Sequence, residues 1–79
     1  MIYLIEYDRR AGQIVICKGF EERDREKAAN ERLALELDLN RKHVEHEVVL
    51  LEAESEGALH LTHRRYFENA GQIVKSSTG

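Results

Sequence analysis

The β-branched residues of this chain fall in three groups, and the groups delimit its elements. Ile2 and Ile5 mark a first segment, Ile14-Val15-Ile16 a second, and Val44, Val48 and Val49 a third, whereas Glu21 through His43 holds no Val, Ile or Thr. Branching at Cβ stiffens a side chain, which suits strands and slightly disfavours helices. The pattern predicts strands from about Ile2 to Tyr7, Gln13 to Phe20 and Val44 to Ala53, with a helix from Glu21 to about Leu39.

The junctions carry chemistry that fits this division. Asp8-Arg9-Arg10-Ala11-Gly12 joins the first two strands as a hairpin, with Gly12 free to take positive φ and Asp8 able to bond its own backbone. In the helix, acidic residues come early, Asp24 is a candidate cap, Asn40 is a candidate left-handed stop, and Arg41-Lys42-His43 places positive charge at the negative end of the dipole. Ala29, Leu33 and Leu37 form one stripe and Ala28, Leu35 and Leu39 another, so the apolar face is wide. Leu33 to Leu39 also alternates at period two; Leu, Ala and Glu propensity together with length decide for helix.

Two patterns fit the next stretch. Ser55 as a cap followed by Glu56 predicts a second helix from Glu56 to Phe67, with Leu59, Thr62, Tyr66 and Ala70 on one face. A hairpin around Gly57 with Leu59 to Phe67 as a fourth strand is the alternative, and the Ser cap favours the helix. Beyond it, Tyr7-x-x-x-Ala11-Gly12-Gln13-Ile14-Val15 recurs as Tyr66-x-x-x-Ala70-Gly71-Gln72-Ile73-Val74. This repeat reads as two similar turn-to-strand junctions, or as an extra strand for the edge of this sheet or a neighbour's. Residues 1–69 are expected to form one domain, with 70–79 as a tail that ends frayed.

These elements predict an α+β fold, a three-stranded antiparallel sheet of order 2-1-3 in a β-β-α-β-α arrangement. Ile2-Tyr3-Leu4-Ile5 and Val48-Val49-Leu50-Leu51 put apolar side chains on both faces of that sheet. One helix covers one face, and the other face calls for the second helix, the tail or another subunit. A homodimer is therefore expected.

Composition narrows the classes of function. At 79 residues, with 42% hydrophobic and 34% charged side chains, the chain can fold but builds only a small core. A net charge of −3 supplies no general attraction to phosphate backbones, so nucleic acid is not the default partner. The lone Cys17 forms no internal bridge, and neither a signal core nor a membrane-length apolar run is present, which predicts a cytoplasmic protein with no membrane partner.

Candidate chemistry is sparse. His43-x-x-His46 and His60-x-x-His63 could each offer imidazoles to a metal, but the first spacing splits across the faces of a strand. Cys17 lacks a recognisable base and reads as core packing. Glu45, Glu47, Glu52 and Glu54 read as one solvated strand face, Arg32 and Glu36 as an ion pair between the two Leu stripes, and the glycines lack any phosphate-loop spacing. Thr62-His63-Arg64-Arg65-Tyr66-Phe67 is the strongest recognition candidate, joining two guanidinium groups to two rings, with Arg9 and Arg10 as an extension; the favoured reading of the segment is a basic helix end with Tyr66 and Phe67 as hydrophobic anchors against the sheet. The sequence thus predicts a non-enzymatic interaction or assembly module with no cofactor. The alternative is an accessory nucleic-acid or anionic-ligand binder using Arg9, Arg10, His63, Arg64, Arg65 and Tyr66.

Overall fold

The chain's most continuous apolar run becomes its central strand. In the computed structural model, which describes residues 1–67, β1 (Ile2–Asp8) lies between β2 (Gln13–Phe20) and β3 (Glu47–Glu52), and all pairings are antiparallel. A 3-10 turn over Glu22–Asp24 leads into α1 (Arg25–Arg41), and α2 (Glu56–Thr62) and α3 (Arg64–Phe67) follow β3. The expected order 2-1-3 and the α+β class are observed, and Leu59 to Phe67 is helical rather than a fourth strand. Ser55 caps α2, its hydroxyl accepting from the Ala58 N–H at 3.1 Å. The expected single second helix is broken at His63, which leaves the helical region (φ −127°, ψ 53°). Thr62, expected on the buried face, is exposed at the end of α2, and Tyr66 and Phe67 are buried in α3. The repeated segment at Ala70–Val74 and the expected tail strand lie outside the described residues.

The hairpin turn forms as its residues dictate. The Asp8 carboxylate accepts from the N–H groups of Arg10 (3.1 Å) and Ala11 (3.0 Å), the Gly12 N–H bonds the Asp8 carbonyl, and Gly12 takes φ 68°. Tyr7 pairs with Ile14 while Glu6 pairs with Ile16, so Val15 is the extra residue of a bulge.

Helix α1 ends two residues later than the sequence predicts, and not through Asn40. The Val44 N–H bonds the Leu39 carbonyl (2.9 Å), the His43 N–H bonds that of Asn40 (3.2 Å), and His43 holds φ 57°. This is the Schellman arrangement, with a histidine at the left-handed position that glycine usually fills. A Cβ there costs about 1–2 kcal/mol, of which glycine's greater chain entropy returns part. His43→Gly is therefore expected to raise the unfolding free energy by about 0.5–1 kcal/mol in urea titrations. A drop in stability would mean that the exposed imidazole contributes more than its backbone geometry costs.

Alternation along β1 sends its side chains to two separate cores. Ile2 and Leu4 pack with Phe20 and Ala28, with Val48 and Leu50 at the margin, beneath α1. Tyr3 and Ile5 pack with Leu59, Tyr66 and Phe67, beneath α2 and α3. Each face of the sheet thus carries a helix layer of the chain itself over β1, so the expectation that one face has no helix is not met among the described residues, while β2 stays largely exposed and β3 half-buried. The outer side of α1 is uncovered, as are Val15 and Ile16 on β2 and Leu61 on α2. Only Ala28 and Leu39 of its residues are buried, while Leu33 and Leu37 are each 55% exposed. The sheet takes the Ala28, Leu35, Leu39 stripe, and the Ala29, Leu33, Leu37 stripe faces out.

Candidate functional site

Among the described residues, one charged side chain is buried in the core. Glu6 follows Ile5 in β1 and by alternation shares the face of Ile2 and Leu4, where it is only 5% exposed. A carboxylate in that position requires a partner. His46, in the loop between α1 and β3, supplies it, with Nδ1 at 2.5 Å from Glu6 Oε2, and its Nε2 lies 3.5 Å from Asp8 Oδ2. Both ring nitrogens therefore face carboxylates of β1. The Asp8 carboxyl is held below its usual range, first by the Ala11 N–H, with the nearby His46 and a second backbone bond from Arg10 acting in the same direction against partial desolvation.

The cluster borders two concavities. One is an open cleft at the hairpin end of the sheet, lined by Asp8, Arg9, Arg10 and residues 43–47. The other is a groove of about 420 Å³ between α1 and the loop, lined by Leu33, Glu36, Leu37, Leu39, Asn40, Val44, His46 and Val48. Val44 and His46 line both. The capping motif of α1 holds Val44 over Leu39, so the same loop forms one wall of each.

In the basic-aromatic segment the rings of Tyr66 and Phe67 are anchors against the sheet, which removes them from the recognition reading. Tyr66 is buried, its ring edge-on to Tyr7 with centroids 5.2 Å apart, and its hydroxyl donates to Glu47. Burial pushes its phenol above the ordinary range, with the Glu47 carboxylate adding to the effect. Arg65 is exposed but engaged, 2.9 Å from Glu47 and lying over the Tyr66 ring at 4.3 Å. No free stacking face is left on Tyr66, and Glu47 offsets the charge of Arg65. Arg64 is exposed and His63 half-buried at the break between α2 and α3. Arg9 and Arg10 are exposed on the hairpin turn. Glu47 links the two halves of the predicted site, touching Arg65 and lining the cleft with Arg9 and Arg10, but Asp8 and Glu45 make that cleft mixed in charge.

Other expectations need correction. Glu47 and Glu52 do not share a solvated face. Register places Glu47 opposite Tyr7 and Glu52 opposite Ile2, on opposite sides of the sheet, where they pair with Arg65 and Arg25. Cys17 is exposed on the edge strand rather than packed in a core, and partial burial of its thiol, aided by Glu56, raises its pKa and keeps it protonated. His60 stacks on Phe67 with centroids 3.8 Å apart. Among the described residues, no group of three or more His, Cys, Asp or Glu side chains is placed to hold a metal ion. The Arg32–Glu36 ion pair does form, at 3.2 Å.

Comparison with family models, curated proteins and solved structures finds no match. The site must be read from its own geometry. Among the described residues no helix is long and apolar enough to cross a membrane.

Sequence reasoning missed the Glu6–His46 contact, although half of it was visible. A charged residue continuing the Ile2-Tyr3-Leu4-Ile5 run of a central strand requires a buried partner. Which of the four histidines supplies it depends on the path of the loop after α1.

Proposed function

We propose that the chain is a small protein-interaction module that pairs with a second copy of itself through the outer stripe of α1. The observation that carries this reading is the exposure of Leu33 and Leu37, one turn apart on a helix whose other apolar stripe is already used by the sheet. Together with Val44, which is also exposed, they line one groove that Glu36, Asn40 and His46 share.

A twofold pairing suits this surface. With two α1 helices antiparallel about Leu35, Leu33 of each copy meets Leu37 of the other, the self-complementary arrangement that a twofold axis requires. Arg32 and Glu36 border the stripe. An antiparallel copy presents them in reverse order on the same flank, which brings Arg32 toward the Glu36 opposite.

Sedimentation equilibrium tests the reading. The native chain is expected to dimerise, and Leu33→Glu/Leu37→Glu to weaken dimerisation by about a hundredfold or more, since central apolar contacts carry most of an interface's energy. Because both positions face solvent, the variant should keep its fold to within about 0.5 kcal/mol. Leu61→Glu, at another exposed apolar position, should leave dimerisation unchanged. A native chain that stays monomeric, or a double variant that dimerises as well as the native chain, would overturn the proposal.

The anionic-ligand alternative has less support. Of its six residues Tyr66 is buried and Arg65 is engaged by Glu47, which leaves Arg9, Arg10, Arg64 and half-buried His63. Steep salt-dependent binding to a polyanion would favour it instead.

A further inference from the structure

We propose that residues 72–75 of the chain add to the free outer edge of β2 as a fourth strand, so that the sheet is closed on that side by the chain's own tail. This goes beyond the α1 pairing and does not depend on it.

In the order β2-β1-β3, the described residues give β2 a partner on one side only. Ile14-Val15-Ile16-Cys17 is a continuous apolar run on that edge, and Val15, Ile16 and Cys17 are exposed. Lys18 is the only charged residue of β2, and its ammonium reaches away to Glu31 of α1. The opposite edge, β3, is half-buried and guarded at both ends, by Glu47 bound to Arg65 and by Glu52 bound to Arg25. A long apolar edge with open N–H and C=O groups attracts further strands, and folded proteins cover or charge such edges. Among the described residues β2 has little of either protection.

The sequence repeat supplies the cover. Tyr7-x-x-x-Ala11-Gly12-Gln13-Ile14-Val15 leads into β2, with Gly12 at φ 68° turning the chain and Gln13 beginning the strand. Tyr66-x-x-x-Ala70-Gly71-Gln72-Ile73-Val74 repeats each of these residues, so the second copy has the same local means to turn and extend. It differs in having Phe67 where the first copy has Asp8, whose carboxylate closes the hairpin turn, and it is entered from α3 rather than from a strand.

Placement follows from where the chain stands at Phe67. The two tyrosines that open the copies touch edge-on, with centroids 5.2 Å apart. Tyr66 and Phe67 share their core with Ile14 of the first copy, and Cα atoms of α3 come within 8 Å of Cα atoms of β2. An added strand lies about 4.8 Å beyond β2. The five steps from Phe67 to Gln72 span up to about 17 Å when extended, which is enough to reach that edge. A segment tethered this closely has an effective concentration of about millimolar, so the chain's own tail outcompetes that of a second copy. With the edge closed, β2 offers no unpaired ladder to neighbouring molecules, and α1 is left as the surface for self-pairing.

Amide hydrogen exchange in the full chain tests this, because about half of the β2 N–H groups point away from β1 and are protected only when another strand accepts them. In the native chain those groups are expected to exchange about a hundredfold or more slower than free amides, equally at about 10 μM and about 1 mM chain. Consecutive residues of a strand direct their N–H groups to opposite sides, so of Ile73→Pro and Val74→Pro at least one removes a donor to β2. That variant should speed exchange of the outward β2 groups about tenfold or more while the bonds of β1 to β2 and β3 stay protected. Ser77→Pro, beyond the paired stretch, should change nothing. Outward β2 groups that exchange freely in the native chain overturn the proposal, as do two proline variants that both keep native protection. Protection that appears only at the higher concentration also overturns it, since the strand would then come from a second copy.

Discussion

Leu59→Ala is expected to lower the unfolding free energy by about 2–5 kcal/mol, the range for emptying a fully enclosed leucine site. Leu59 has no exposure and lies between Tyr3, Ile5, Tyr66 and Phe67. It is the only buried residue of α2, a helix of seven residues that would not persist in water alone. Removing its side chain therefore takes away both core volume and the anchor of α2. Urea unfolding measures the loss, and hydrogen exchange in α2 locates it. A change below about 1 kcal/mol, typical of a half-exposed position, would show that something other than α2 and α3 covers this face.

Phe20→Ala is expected to cost about 3–5 kcal/mol on the opposite face. Phe20 closes the end of β2 opposite Ile2 and fills the space between Ile2, Leu4 and fully buried Ala28 of α1. Lys18 lies 5.2 Å from the centre of its ring while pairing with Glu31 at 2.8 Å, so Phe20 also supports one of the bridges from sheet to helix. The two variants separate the cores. Phe20→Ala should release α1 with α2 still protected from exchange at low denaturant, and Leu59→Ala should do the reverse. Loss of both helices together in either variant would mean that the sheet transmits the damage and the two cores act as one unit.

The fold was legible where local chemistry decides. Stiff β-branched clusters gave the strands, Asp8 and Gly12 the hairpin, Ser55 the start of α2, and the right-handed crossover after the hairpin the place of β1 between its neighbours. Legibility stopped where long-range packing decides. Which of two Leu stripes on α1 meets the sheet depends on the rotation of the helix, and periodicity alone is silent on that choice. The assignment of α1's stop to Asn40 failed because asparagine accepts the left-handed conformation more readily than histidine, and the tertiary path placed His43 there instead. For the site, the sequence marked the charged and aromatic segment at Thr62–Phe67 by composition. The size of the Tyr66 and Phe67 rings made them legible as anchors against the sheet, but the engagement of Arg65 by Glu47 depends on the path of the chain. The Glu6–His46 pair joins residues far apart along the chain and has no local spacing to reveal it.

The central position of β1 also bears on how the molecule assembles. Its pairing with β2 closes through a tight turn, whereas its pairing with β3 must wait until α1 has been laid across the sheet. Short loops close quickly and distant segments meet slowly, so the hairpin should form early and bear one open edge while the third strand searches for its place. During that interval Leu4 and Ile5 are sheltered by neither helix layer, and the half-built sheet is the species most prone to stick to others of its kind.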